Sequence, residues 1–437
     1  MLRYGFLRRS AAQKISMQDS TRLAVLCILQ LAGCGPAFAP PVIYGAIASS
    51  FGVAQAHVTA LMPAVYAISM FGMAIPGSLF MERFGLRRSF LIGCTGICLC
   101  TIAQTYANDF LQLLLLHSAI GICKGFAGDV TFVASCNAWF HERTSTAIAI
   151  CFAAVGAGAS LWTLCVARIA SAFGWRSALA AVAAVQCVVA LPLAVFCVHD
   201  PPPSKLVRQP SRVARPASFE SESPGELPWW LRDRSVWLLV VLNFSVVFSC
   251  YGVNNQLTLF LADEGHVSLS EASMYTSLVF GCNMLSKLAS GPMYDGSFGG
   301  ACAIGACATL TVGSVMLLHL AMKPVIGAET LVFAITFGIG YGGCYSLLQS
   351  KASLHFGHRP GFKALQGFLS AGQYAGMACG YLLPPELAHA FSYTASFATL
   401  VGSAITALAA IVGFELREAS LAASISTSGL TAPFLKG

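Results

Sequence analysis

The sequence predicts an all-α membrane protein: twelve transmembrane helices in two six-helix bundles, with both termini cytoplasmic. Three observations carry that expectation. Of 437 residues, 56% are hydrophobic and only 10% are charged, where a soluble domain has about 25% charged. The apolar residues fall in long continuous runs rather than alternating, and in lipid such runs are helices that satisfy their own backbone groups. Once the runs are placed, twenty of the 25 Lys and Arg residues lie on one side. The same figures argue against a soluble enzyme, a nucleic-acid binder and a disordered chain, because a soluble surface must still meet water.

A bilayer core about 30 Å thick takes about 20 apolar helical residues. The first bundle, residues 23–198, has runs of that kind at Leu23–Ile47, Val58–Leu79, Phe90–Ala107, Leu113–Ala134, Ala147–Ala170 and Ser177–Val198. Pro36, Pro40 and Pro41 sit in span 1. Proline lacks the N–H of a helical bond and crowds the turn before it, so this span should kink or unwind. Pro63 and Pro76 raise the same expectation for span 2. The second bundle, residues 236–414, has runs at Val236–Leu261, Ala272–Met293, Ala301–Leu320, Leu331–Ser350, Leu365–Leu383 and Thr394–Phe414.

Residues 1–22 and 415–437 read as cytoplasmic tails, and residues 199–235 as a disordered cytoplasmic linker. The linker opens on Pro201-Pro202-Pro203 and continues in a mixture of Ser, Arg and Glu that cannot build a core. Basic residues crowd the amino terminus, loop 2–3, Arg143, this linker, loop 10–11 and the carboxyl tail. Lys and Arg are retained on the cytoplasmic side of a membrane, which orients the chain. The plasma membrane is the expected location. The Arg-rich, acid-poor stretch before Asp19 keeps an organellar membrane as the alternative. The 17 cysteines lie in or beside the spans without ligand spacing. They read as small packing residues, and no metal or cofactor is expected.

The two halves echo each other. Span 2 ends in Gly77-Ser78-Leu79-Phe80-Met81-Glu82-Arg83-Phe84-Gly85-Leu86-Arg87-Arg88, and span 8 in Gly291-Pro292-Met293-Tyr294-Asp295-Gly296-Ser297-Phe298-Gly299. Each places an acid at the helix end with a small residue four before it, then turns through Phe-Gly. The first segment resembles the loop 2–3 signature of the major facilitator superfamily, with Glu82 in place of Asp and Ser78 in place of the first Gly. The resemblance spans almost the whole chain. It implies two rocking halves and makes Glu82, Arg83, Gly85, Arg87, Arg88, Gly291 and Asp295 candidate gating residues.

Within that superfamily the chain looks most like the monocarboxylate transporters and oxalate/formate antiporters. Trp139-Phe140, Gly156-Ala157-Gly158, Gly174-Trp175-Arg176 and the run Asn283 to Gly291 carry this likeness. In the families it resembles, a basic residue four before the span 8 glycine binds the substrate carboxylate, and Lys287 stands there. Asn283 replaces the Asp that those carriers use in proton coupling.

Three charges lie in the body of the spans: Lys124, Asp129 and Lys287. A charge at mid-membrane costs about 2.5–3.5 kcal/mol on insertion scales, and such residues usually face the bundle interior. Asn283 and Gly291 share a helix face with Lys287, one turn to each side, which reads as a polar stripe. His117 and Lys124 read as a second polar face in span 4. With Asp129 they are a second anion contact, a coupling site or a structural pair. Tyr341, Tyr345 and Gln349 recur every four residues in span 10. The expected partners are lipid, a small carboxylate, and a coupling proton or counter-anion, with no nucleic acid. An amino-acid or other small-solute facilitator is the alternative, and a non-transporting receptor a remote one. An intramembrane aspartyl protease fails on its motif, since Phe126 stands two before Gly128.

Overall fold

The computed structural model describes residues 17–140, 143–200, 228–267, 269–295, 299–323, 327–357 and 359–427. The linker expectation for 201–227 and most of the amino-terminal tail fall outside the described residues. Regular structure among them is helical throughout.

The first span is interrupted. Helix α1 (Met17–Leu29) widens into a π-turn at Gln30–Cys34, tightens into 3-10 turns at Gly35–Phe38 and Pro40–Ile43, and resumes as α2 (Tyr44–Phe51). The prolines and Gly35 account for this unwinding, as expected. By contrast α3 (Gln55–Phe84) runs unbroken through Pro63 and Pro76. Packing along neighbouring helices makes such prolines tolerable in a membrane helix. Next come α4 (Leu86–Thr105), α5 (Phe110–Ala127) and α6 (Asp129–Trp139).

Span 4 was expected to be continuous, and Gly128 breaks it with an extended backbone. The Phe126 carbonyl freed at the break accepts hydrogen bonds from Thr131 Oγ1 and Ser89 Oγ, both 2.7 Å. The break puts Asp129 in the first turn of α6, where a negative charge is favoured. The half ends with α7 (Thr144–Phe173), α8 (Trp175–Val185), a second π-turn at Gln186–Ala190, and α9 (Leu191–Phe196).

The second half comprises α10 (Trp229–Arg232), α11 (Arg234–Asp263), α12 (Leu269–Asp295), α13 (Gly299–Met322), α14 (Ala328–Phe356), α15 (Phe362–Ala390) and α16 (Tyr393–Thr427). Among the described residues, ten helices are long and apolar enough to cross a membrane. Helices α12 and α15 have 27 and 29 residues but fall outside that set by composition. Their extra polar residues are those that face the interior described below.

Helix extends beyond the expected spans. Residues 415–427 continue α16, α14 runs on past Ser350 to include Lys351, and α10 with the start of α11 occupies the end of the segment expected to be a disordered linker. One network ties these segments together. Lys351 pairs with Glu415, Arg417 with Asp233 at 3.5 Å, and Ser235 Oγ donates to Glu418 at 3.2 Å. These pairs neutralise charges that would otherwise have left the helix.

The halves meet along two seams, α3 with α15 and α7 with α12. Glycines allow the approach. A Cβ on Gly291 would lie 2.9 Å from Thr146 Cα, and one on Gly367 would lie 2.7 Å from the Ala74 carbonyl. Within the first half, Gly158 of α7 meets the unwound stretch, and its Cβ would sit 2.7 Å from the Leu31 carbonyl. Gly158→Val should therefore overpack this crossing by about 1–3 kcal/mol. The expected result is a melting temperature lowered by several degrees in detergent, with the helical signal of the folded protein unchanged.

Candidate functional site

Asp129 starts α6 at the boundary between the halves. The Tyr345 hydroxyl of α14 donates to its Oδ2 at 2.8 Å. Gln373 of α15 sends its Nε2 to the Tyr345 oxygen at 3.1 Å and towards Asp129 Oδ2 at 3.5 Å. Gln349 Nε2 donates to Gln373 Oε1 at 3.1 Å. A carboxylate of one half is thus held by the other half through hydrogen bonds alone.

Lys287 enters from α12 and meets the same tyrosine on its face. Its Nζ lies 4.7 Å from the Tyr345 ring centre and 5.8 Å from that of Tyr341. Asn254 donates to the Tyr341 hydroxyl at 3.3 Å. Lys287 is only 5% exposed. No carboxylate forms an ion pair with it among the described residues, and Asp129 acts on it through space. One turn earlier, Asn283 is 1% exposed and its Nδ2 has no hydrogen-bond partner. On one helix face, the Asn283 amide nitrogen thus lacks a partner beside an ammonium met by tyrosine faces. An unpaired buried donor carries a desolvation cost of about 1–3 kcal/mol.

Lys124 and His117 make no direct contact with this centre, although Lys124 acts on Asp129 through space. Lys124 Nζ donates to the Gly33 carbonyl at 3.0 Å and to Cys34 Sγ at 2.9 Å. His117 Nδ1 lies 3.1 Å from Gln104 Nε2. Both line a cavity inside the first half. Between them Gly121 packs on Tyr66 and Ser69 of α3. Helical spacing could not place Lys124 relative to Asp129 once Gly128 had broken the helix.

The gating candidates divide. Gly85 turns the chain at φ +91°, a conformation suited to glycine. Asp200 caps this turn, with its Oδ1 accepting from the backbone of Leu86 at 2.6 Å and of Arg87 at 3.2 Å. Arg87 donates to the Val195 carbonyl at 3.0 Å. Arg83 lies over the Phe84 ring, and Glu82 and Arg88 are exposed. The repeat of this segment makes the contact between halves. Asp295 accepts from the amides of Ser145 at 3.1 Å and Thr146 at 2.8 Å, and from Thr146 Oγ1 at 2.7 Å. It thereby caps α7 from the opposite half, beside Gly291.

Gln373 belongs to a polar stripe that the sequence shows on span 11, with Gln366, Ser370 and Tyr374. Sequence reasoning missed the roles of Asp200 and the Ser145–Thr146 cap. The cap had a signal, since Thr144-Ser145-Thr146 opening a helix is a run of capping residue types. Asp200 acts only through tertiary contact.

Two bundles joined by glycine-rich seams around a buried polar centre define a membrane carrier. The Major Facilitator Superfamily model matches residues 25–365, and the chain belongs to that superfamily. It is an integral, multi-pass secondary transporter and not an enzyme. The fold is similar to the crystal structure of the human organic anion transporter MFSD10 (TETRAN), with a TM-score of 0.71 and 14% identity. That likeness covers 90% of this chain and 99% of the other. None of the curated proteins matches the sequence.

Removing the Asp295 carboxylate leaves the first amides of α7 uncapped, a loss of about 1 kcal/mol. Asp295→Ala should speed amide hydrogen exchange at Ser145 and Thr146 about fivefold. Exchange within α16, which packs on α11, α13 and α15, should stay unchanged.

Proposed function

We propose that this protein moves a small organic anion of the monocarboxylate type by alternating access about a site built on Lys287. The observation that carries this reading is the Lys287 ammonium, 5% exposed and met by tyrosine faces, beside the Asn283 amide nitrogen, which is buried without a hydrogen-bond partner. A carboxylate would take a charge-assisted bond from the first and a neutral bond from the second. Tyr341 and Tyr345 hold the ammonium on their faces while no anion is bound, an interaction worth about 0.5–2 kcal/mol and easily exchanged. The similar structure is that of an organic anion transporter, which agrees with this class.

In this reading α12 and α15 also cross the bilayer, which makes twelve spans and places both termini in the cytoplasm. The end of the bundle at Asp295 is then the cytoplasmic end, closed by its cap on α7. Substrate would reach Lys287 from the other side. Glu82, Arg83, Gly85, Arg87 and Arg88 act in this scheme as the hinge turn held by Asp200. Asp129 is the group placed to sense the substrate, because Tyr345 touches both it and Lys287. Proton or counter-anion coupling would run through that tyrosine. The plasma membrane is the proposed location.

The same neighbourhood supports a second reading. Lys287 for a carboxylate and Asp129 for an ammonium would together fit an amino acid, with Tyr345 between them. Uptake of radiolabelled lactate, pyruvate, oxalate and neutral amino acids into liposomes, with and without a pH gradient, separates the two.

Loss of a hydrogen bond to a charged group costs about 1.5–3 kcal/mol. Lys287→Ala should weaken apparent affinity for the transported carboxylate by about ten- to a hundredfold. Lys287→Arg should retain part of it. Unchanged uptake by Lys287→Ala would remove Lys287 from the site.

A further inference from the structure

Granted a carboxylate at Lys287, which is the reading proposed above, the fixed charges around it decide how many charges that anion can carry. Three charges stand in the body of the spans, Lys124, Asp129 and Lys287. They act on one another across the two halves. Asp129 feels both lysines through space, and Lys287 feels Asp129.

The geometry shows why. Lys124 lies in the last turn of α5, and Asp129 opens α6 directly after the break at Gly128. From the other half, Tyr345 donates its hydroxyl to Asp129 Oδ2 at 2.8 Å, and its ring centre lies 4.7 Å from Lys287 Nζ. One tyrosine thus spans the gap between the acid and the second lysine.

The partners fix the charge states. Tyr345 and Gln373 both donate to Asp129, as suits a carboxylate. Lys124 donates to a carbonyl and a thiol, and Lys287 lies over ring faces, as suits two ammonium groups. His117 is bonded to Gln104 and is neutral at pH 7. Lys351 is matched by Glu415 within the second half and does not enter the sum. Two positive charges and one negative remain, so the centre carries one net positive charge.

Net charge away from water is costly, and a ligand that cancels it is favoured. A monovalent anion brings this centre to neutrality. A divalent anion leaves it with one net negative charge and no further cation to meet it. Without the Asp129 charge the centre would hold two net positive charges, and the preference would reverse.

We propose that Asp129 selects the valence of the transported anion, admitting one negative charge and disfavouring two. It acts through its charge on the centre and not as a ligand of the substrate carboxylate. That makes it a specificity-determining residue.

The test is uptake by the purified full-length protein in liposomes at about pH 7.5, where lactate and acetate are monovalent and oxalate and malonate divalent. Apparent affinities for the four are compared, and the wild type should favour the two monoanions. Asp129→Asn keeps an oxygen to accept from Tyr345 and Gln373 but removes the charge. The ratio of dianion to monoanion affinity should then rise about tenfold or more. Asp129→Glu should keep the wild-type order. Combining Asp129→Asn with Lys124→Gln returns the centre to one net positive charge, and the preference for monoanions should return with it. A purely structural role for Asp129 predicts no such return, because the second substitution only removes further contacts.

An unchanged ratio in Asp129→Asn would overturn the proposal and leave the Lys287 site standing. So would a double variant that keeps the dianion preference of the single one, or a wild type that takes dianions as readily as monoanions. If Asp129→Asn does not fold, Lys124→Gln alone decides the matter. It leaves no net charge at the centre, so lactate affinity should fall about fivefold or more, and an unchanged affinity overturns the proposal. Uptake indifferent to Lys287→Ala, or no uptake of any of the four anions, removes the carboxylate reading itself and this proposal with it.

Discussion

No bulk water reaches the core of a bundle in lipid, so each buried charge has to be met by protein. Among the described residues three lysines are buried, half-buried Asp129 joins them, and each is met in a different way. Lys351 has a full ion pair with Glu415. Lys124 has a carbonyl and a thiol. Asp129 has a phenol and an amide. Lys287 has only aromatic faces. The order runs from strongest compensation to weakest, and the weakest is where a ligand gains most by binding. The centre therefore follows from a deficiency in the packing, not from an abundance of polar groups. Tyr345 ties it together, because its hydroxyl serves Asp129 while its ring serves Lys287.

A carrier must also be able to let go of its own closed state. The contacts between halves suit that need. Asp295 meets α7 through amides and a hydroxyl instead of an arginine. A helix cap is worth about 0.5–2 kcal/mol, where breaking a buried ion pair costs about 3–5 kcal/mol. The strong pair, Lys351 with Glu415, lies wholly within the second half and can persist while the halves rock. Gly291 and Gly367 bring backbones together at the seams without interlocking side chains. The division places durable electrostatics inside each half and exchangeable hydrogen bonds between them.

The membrane class and most helices were legible because hydropathy over about 20 residues integrates many weak signals. The buried charges were legible for the opposite reason: Lys124, Asp129 and Lys287 are conspicuous against an apolar background. Their partners were not. Lys124 was read on an unbroken helix with Asp129, and the extended Gly128 removes the periodicity on which that reading stood. Nothing local distinguishes Gly128, which forms a helix break, from Gly121, which packs within one. Pro63 and Pro76 fail in the other direction, since neighbouring helices hold α3 continuous where its own sequence favours a kink. Local chemistry decided span 1, where three prolines and two glycines fall within nine residues, Gly33 to Pro41.

That unwound stretch links the separate parts of the molecule. Its Gly33 and Cys34 hold Lys124 in the first half. A turn later Phe38 lies 6.4 Å from both Tyr251 and Phe280 of the second half. Leu31 and Gly35 rest on Gly158 of α7, the helix that Asp295 caps at its other end. A regular helix would offer its side chains on fixed faces and move as a rod. This segment has freed backbone carbonyls to bind an ammonium, and its turns can tighten or loosen without losing a continuous hydrogen-bond ladder. Phe38 is the side chain through which a displacement of the second half would reach Cys34, four residues away. The hydrogen bonds of Lys124, the packing of α7 and the aromatic contact with the second half therefore all rest on about ten residues whose prolines forbid them to be a plain helix.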